Sequence, residues 1–281
     1  MKELGIDVST WQGTQIDFEA VKKSGVKYVI IRAGFGREVT QKDNCFETNY
    51  KKAKQAGLKV GAYWYAYATD KTDAIKEAKA CVECLKGKQF ELPIYYDIEE
   101  SSILSKSGKQ IGDIITGFCS TLEQNKYFAG LYCGFAVTNK VDKAIINKYA
   151  LWFAQWYSVC QYEGDYGMWQ FTEKLSVNGI SGNVDGDYLY KDYTTIIKNG
   201  GYNGYTKKTQ TTQKNTQTVK KEDSYLQLAF ETINGEYGSG KEREKLLGDK
   251  YDDVQDIVNI LLSNTDMFLK AKELYKRGLL K

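Results

Sequence analysis

Asp97 and Glu99 stand two residues apart in the run Ile94-Tyr95-Tyr96-Asp97-Ile98-Glu99-Glu100. Alternate residues of a β-strand share a side, so the two carboxylates are expected to project together while Ile98 and Glu100 face the other way, which leaves Glu100 without a role. Like charges held this close raise one pKa, and a partly apolar wall raises it further, so one group can stay protonated near neutral pH as a general acid. The longer Glu99 is the expected acid. An isolated Asp-x-Glu triplet more often ends a strand beside solvent, so its surroundings must decide. The chain contains no histidine. That removes Ser-His-Asp hydrolases, Cys-His peptidases and His-ligated zinc enzymes, and leaves carboxylates, which suffice to cleave glycosidic bonds.

The elements that must position these acids are short. Eight apolar runs rich in β-branched and aromatic residues span 3–8, 27–34, 59–66, 92–99, 129–133, 150–155, 167–171 and 184–189. Amphipathic stretches near 16–25, 44–57, 71–87, 108–126 and 137–148 follow the first five, and the later gaps are too short for full helices. The expected fold is α/β: a modified β/α barrel of eight strands with an incomplete helical ring. A barrel gathers strand C-termini on one face, bringing together Asp7, Asp97 and Glu99. Asp185 lies near the start of its run, so periodicity alone does not bring it to that face. Trp11, Tyr63, Tyr65, Tyr67, Tyr132, Trp152, Trp156 and Trp169 are expected near the mouth, at least half of them as core packing and the remainder as platforms for sugar rings.

Residues 206–221 hold five lysines, no acid and a single aliphatic side chain, Val219, and read as a flexible tether. The expected organisation is a barrel over 1–205, a linker over 206–223 and a small all-α domain over 224–281. Six cysteines fall inside expected strands and helices, and Cys81-Val82-Glu83-Cys84 has no second pair to complete a zinc site, so free thiols are expected and neither metal nor cofactor. With 35 Lys against 4 Arg, the basic residues do not suit bidentate phosphate recognition, and nucleic acid is not an expected partner. No apolar run approaches the roughly 20 residues of a membrane span, so membrane insertion is not expected.

Several motifs, in order over about 190 residues, resemble glycoside hydrolase family 25, lysozymes carried by many bacteriophages and some bacteria. They are Gly5-Ile6-Asp7-Val8-Ser9 with Trp11-Gln12-Gly13, Ile30-Ile31-Arg32-Ala33-Gly34, Gly61-Ala62-Tyr63-Trp64-Tyr65, Asp97-Ile98-Glu99, Leu131-Tyr132, Leu151-Trp152, Trp169-Gln170-Phe171 and Val184-Asp185. The resemblance implies cleavage of the β-1,4 bond between N-acetylmuramic acid and N-acetylglucosamine in bacterial peptidoglycan. Glu99 matches the proton donor, Asp97 its partner, and Asp7 and Asp185 the flanking pocket acids. The matched motifs also nominate Arg32, Tyr63, Tyr65, Tyr132, Trp152 and Gln170 as substrate contacts. Two departures are visible: Thr10 stands where the family often has His, and Asp187 where it commonly has Asn.

Residues 229–262 are similar to the short three-helix cell-wall-binding repeat found behind some phage lysozymes, present here in one copy. Tyr237 and Arg243 are the nominated wall contacts, beside the glycine-rich turn 234–240. Sixty residues make a small core, so pairing with another copy is an alternative role for this piece. A chitinase-like hydrolase and a non-catalytic wall-binding protein are the competing readings of the whole chain. The opening residues Met1–Val8 lack a signal-peptide run, which suggests synthesis in a host cytoplasm and release to the wall by a holin-type route.

Overall fold

Eight strands close into a barrel in the computed structural model, which describes residues 2–207, 225–233, 236–237 and 240–262. They are β1 (Glu3–Val8), β2 (Tyr28–Phe35), β3 (Lys59–Tyr65), β4 (Ile94–Asp97), β5 (Ala129–Cys133), β6 (Ala150–Ala154), β7 (Met168–Ser176) and β8 (Asn183–Leu189). β1 to β7 run parallel, each hydrogen-bonded to the next. β8 is antiparallel to both β7 and β1 and closes the barrel between them. The six residues between β7 and β8 are too few for a crossover helix, so the chain can return only as a hairpin.

The helical ring is α1 (Phe18–Lys23), α2 (Phe46–Gln55), α3 (Lys71–Leu85), α4 (Ser101–Leu104), α5 (Gly108–Gln124), α6 (Phe135–Thr138), α7 (Lys143–Ile146) and α8 (Tyr193–Gly200). The single helix expected over 137–148 is two short turns instead. Asp142 accepts from the Ala144 N–H at 2.8 Å and so starts a new turn in mid-stretch. α5 begins on a reciprocal cap, with Ser107 and Gln110 exchanging side-chain and backbone bonds. The cysteines are free thiols; Cys81 and Cys84 lie buried in α3.

Strand alternation sorts the apolar residues into two layers. Ile6, Val29, Ile31, Val60, Ala62, Trp64, Ile94, Tyr96, Leu131, Leu151 and Phe153 face the helices. Tyr28, Ile30, Tyr95, Tyr132, Trp152, Met168 and Leu189 pack inside the barrel. Large rings fit there because their neighbours are glycines. A Cβ on Gly5 would stand 2.1 Å from Cζ of Tyr28, and one on Gly130 2.4 Å from Cδ1 of Tyr95. The far end is tied by Asn203, which accepts from Phe128 N–H at 2.7 Å and donates to the Leu92 carbonyl at 2.8 Å.

By its internal contacts the chain divides into residues 1–208 and 209–281. The second unit contains α9 (Tyr225–Ile233), α10 (Lys241–Leu247) and α11 (Tyr251–Leu262), packed through Leu228, Ala229, Leu247, Val254, Ile257 and Val258. Most of the expected linker, residues 208–223, lies outside the described residues, as does the tail after 262. None of the described helices is long and apolar enough to cross a membrane.

Gly5→Ala should destabilise the barrel by about 1–3 kcal/mol, because the tyrosine ring has no room to retreat. A calorimetric Tm equal to that of the unsubstituted protein would contradict this packing.

Candidate active site

The inward register of the strands carries a second pattern above the apolar filling: Asp7, Arg32, Tyr63, Tyr65, Asp97, Tyr132, Trp152, Gln170, Asp185 and Asp187 all occupy inward-facing positions toward the mouth. Asp185 reaches it because β8 runs the opposite way. The start of an antiparallel strand lies beside the ends of its parallel neighbours, and Asp185 pairs directly with Asp7.

A hydrogen-bonded chain lines the wall from β5 to β1. Tyr132 Oη–H donates to Gln170 Oε1 at 2.9 Å, and Trp156 Nε1–H reaches the same oxygen at 2.9 Å. Gln170 Nε2 then donates to Asp7 Oδ2 at 2.9 Å. Trp152 Nε1–H is committed to Asp187 Oδ1 at 2.8 Å, and its ring sits edge-on to Tyr63, Tyr95 and Tyr132. The polar atoms of Tyr132 and Trp152 are thus engaged within the protein, and both side chains are buried. They shape the floor.

Asp97 is the last residue of β4, and Glu99 lies beyond it. The expectation that both acids alternate on one strand is therefore corrected: Asp97 is buried under the mouth, whereas Glu99 has left the ladder and stands exposed at the rim. The Ile98 N–H still bonds to the Tyr132 carbonyl at 3.0 Å, which fixes the exit of the chain. Asp97 Oδ1 has no hydrogen-bond partner among the described residues. Glu100, expected to face away, accepts from Tyr65 Oη–H at 3.2 Å and stands at the N-terminal boundary of α4 without a side-chain cap bond, because pleat alternation stops where the strand does. The Tyr65 and Tyr67 rings meet tilted, with centroids 5.1 Å apart, and Tyr67 and Trp11 are exposed, Trp11 to 85%.

Arg32 is held by Asp43, Nε to Oδ2 at 2.7 Å, and the same carboxylate accepts from the Thr10 N–H at 3.0 Å and the Cys45 N–H at 2.8 Å. Asp43 was not singled out in the sequence, and nothing in its local pattern marks it. Glu77 was missed for the same reason. It is buried on α3, accepts from Tyr96 Oη–H at 2.6 Å and the Tyr67 N–H at 2.9 Å, and its carboxyl is pushed up to about 7, chiefly by burial. It braces the rim from behind β4.

Asp7, Asp97, Glu99, Asp185 and Asp187 each hold a proton more tightly than usual. Burial raises Asp97 well above the carboxylate range; Glu99 adds to this and Arg32 opposes it. Glu99 is raised by the desolvation of its cleft, then by Asp185 and Glu100. Asp185 rises to about 6, mainly by burial and then by Glu173. The arrangement offers a proton donor at the rim beside a sunken carboxyl with an uncommitted oxygen. That is what acid-assisted cleavage of an acetal requires.

In the second unit, Tyr237 Oη–H donates to Glu231 Oε2 at 2.9 Å and Arg243 to Gln255 Oε1 at 2.9 Å. Both side chains are half-buried; Arg243 ties α10 to α11, and Tyr237 ties the turn after α9 back to that helix. Most of the glycine-rich turn lies outside the described residues.

The profile of glycosyl hydrolases family 25 matches residues 6–180, and the CW_7 repeat matches residues 227–262. The chain belongs to glycosyl hydrolases family 25 and carries a CW_7 repeat after the barrel in the sequence. It is 35% identical over 188 residues to the autolytic lysozyme of Clostridium acetobutylicum, an alignment covering 65% of this chain and 54% of that protein. The chain thus spans about half the length of that relative. Among solved structures it resembles the CTP1L endolysin, with a TM-score of 0.62 and 27% identity over 70% of this chain and 69% of that one. It also resembles the modular autolysin LytC of Streptococcus pneumoniae in complex with a synthetic peptidoglycan ligand, with a TM-score of 0.61 and 28% identity over 67% and 47% of the two chains.

Because Asp185 and Glu100 raise Glu99, replacing either by its amide should lower the Glu99 midpoint, Asp185→Asn by more than Glu100→Gln. Carbon-13 NMR of protein labelled at glutamate carboxyls reads this directly. An unmoved midpoint in both variants would refute the coupling.

Proposed function

We propose that this protein is an N-acetylmuramidase that hydrolyses the β-1,4 bond between N-acetylmuramic acid and N-acetylglucosamine in bacterial peptidoglycan. The observation that carries the reading is the pair at the end of β4: an exposed Glu99 whose carboxyl holds its proton above the usual range, beside a buried Asp97 with one oxygen free of donors. Membership of the family and the names of its relatives, an autolytic lysozyme, an endolysin and an autolysin, support it.

In this reading a muramic sugar enters between Tyr65 and Trp156 over the Asp7–Gln170 wall. Glu99 protonates the glycosidic oxygen as the bond to C1 breaks. The free oxygen of Asp97 accepts from the N–H of the 2-acetamido group and orients its carbonyl oxygen to attack C1, so that the anomeric configuration is retained after water opens the ring intermediate. Asp97 suits this role better than direct attack, because it is sunk in the floor with its neighbour on the same chain segment; a nucleophile and an acid would straddle the bond. Asp7 and Asp185 flank the sugar. Arg32 moderates the charge on Asp97 without leaving Asp43.

Glu99→Gln should lower the rate of turbidity loss on purified cell walls by about 10²-fold or more, since a positioned general acid contributes about 10²–10⁴. Its thermal melt should match that of the unsubstituted protein. Near-normal lysis would remove Glu99 from this role, lysis of chitin in preference to walls would favour the chitinase reading, and an inverted anomer as first product would remove the acetamido step.

The C-terminal unit is proposed to hold the enzyme on the wall, with the barrel and the helical unit as separate domains joined across residues 206–223. Deleting residues 206–281 should reduce co-sedimentation with purified walls while leaving cleavage of soluble wall fragments within about twofold. Equal sedimentation of the two forms would assign the unit to another task, self-association first among them.

A further inference from the structure

Three carboxyls meet where β8 lies against β1, and Asp187 is the deepest of them. It is fully buried; Oδ1 accepts from Trp152 Nε1–H at 2.8 Å, while Oδ2 has no donor among the described residues. Against it lies the side chain of Asp7, also buried, whose own Oδ2 already accepts from Gln170 at 2.9 Å. Two ionised carboxylates are both acceptors and cannot bond to each other. Their contact becomes attractive only when one of them carries a proton.

The surroundings offer no alternative source of balance. Asp187 faces Tyr28 on β2, Tyr95 on β4, Tyr132 on β5, Trp152 on β6, Gln170 on β7, and Asp185 on its own strand. Asp7 adds Tyr63 on β3, its register partner Asp185 on β8, whose side chain also lies against it, and the more distant Asp97 on β4. Every one of these is neutral or acidic, with the phenols kept protonated by burial. Arg32, on β2, is committed to Asp43. Two adjacent negative charges in such a pocket would each bear a desolvation cost with nothing opposite to offset it.

We propose that Asp187 and Asp7 hold a single proton between them at neutral pH, and that Asp187 is thereby the positioning residue that fixes the Asp7 carboxyl in the wall of the site. The pair is clamped at both outer ends, Asp187 by the Trp152 indole and Asp7 by the Gln170 amide, so the shared proton completes a continuous chain from Trp152 to Tyr132. Burial, followed by the charge of its neighbours, holds each of the two acids well above the ordinary carboxylate range. What Asp7 does for a sugar ring rests on the muramidase reading. The shared proton does not.

The test follows from proton linkage. A folded state that keeps a proton which the unfolded chain has released loses stability as pH rises from the unfolded carboxylate midpoint, about 4, toward the raised folded one. Asp187→Asn preserves the shape, lets an amide N–H donate to Asp7, and removes that proton from the balance. The Tm of Asp187→Asn minus that of the unsubstituted full chain should therefore grow by about 2 °C or more between roughly pH 5 and roughly pH 8. A loss of packing alone would give a difference independent of pH, and a flat difference overturns the proposal. In the unsubstituted protein labelled with carbon-13 at aspartate carboxyls, two lines should lie between the ionised and acid positions at neutral pH and titrate together. Asp187→Asn should abolish one and return the other, assigned by its loss in Asp7→Asn, toward the ionised position. Finding both lines at the ionised position at neutral pH would overturn it equally. Neither readout depends on wall cleavage, so an inactive enzyme would sink the muramidase reading and leave this result intact.

Discussion

The reversal of one strand is the constraint on which the site depends. Seven parallel strands can bring their last residues to a common rim, but an eighth parallel strand would bring Leu189 there and bury Asp185 and Asp187 at the opposite end. Run backwards, β8 delivers two acids against Asp7 and leaves its apolar end, Leu189, with Met168 in the filled part of the barrel. The hairpin that enforces this is short, and it leaves the helical ring incomplete beside β8. One local economy of chain sets both the chemistry of the floor and the open side of the barrel.

The floor and rim that result differ in kind. Below, the interior is tightly filled, with tyrosine rings lodged over glycines and a hydrogen-bonded wall running from Tyr132 through Gln170 to Asp7. Above, Trp11, Tyr67 and Trp156 are exposed and Glu99 stands outside the ladder. Charge follows the same division. Burial raises the proton affinity of the acids sunk in the floor, and desolvation followed by the neighbouring carboxylates raises that of the acid at the rim. A site made only of carboxyls, in a chain without histidine, needs such a gradient to keep donor and partner distinct.

Much of this was legible in the amino-acid sequence, and what escaped did so for definable reasons. The eight runs correspond to the eight strands because barrel strands covered on both faces are written as short apolar stretches. Asp97 at the end of the fourth run followed from the same pattern. Strand direction is not encoded in periodicity, so the position of Asp185 had to come from family resemblance, and the contact of Asp187 with Asp7 was out of reach. The end of β4 at Asp97 was missed because Ile98 continues the apolar alternation while the backbone has already turned away. Asp43 and Glu77 act across long sequence separations, on Arg32 and on Tyr67 and Tyr96, and such pairings leave no local trace.

The reversed strand also decides where the polypeptide leaves the barrel. After Leu189 the chain is already at the end remote from the rim, where α8 and the Asn203 clamp secure it beside Phe90 and Phe128. Had β8 been parallel, residues 190–207 would have emerged among the rim loops. As built, residues 190–207 finish the barrel at the end away from the mouth, and among the described residues the side chains that line the opening come only from the strand ends and rim loops.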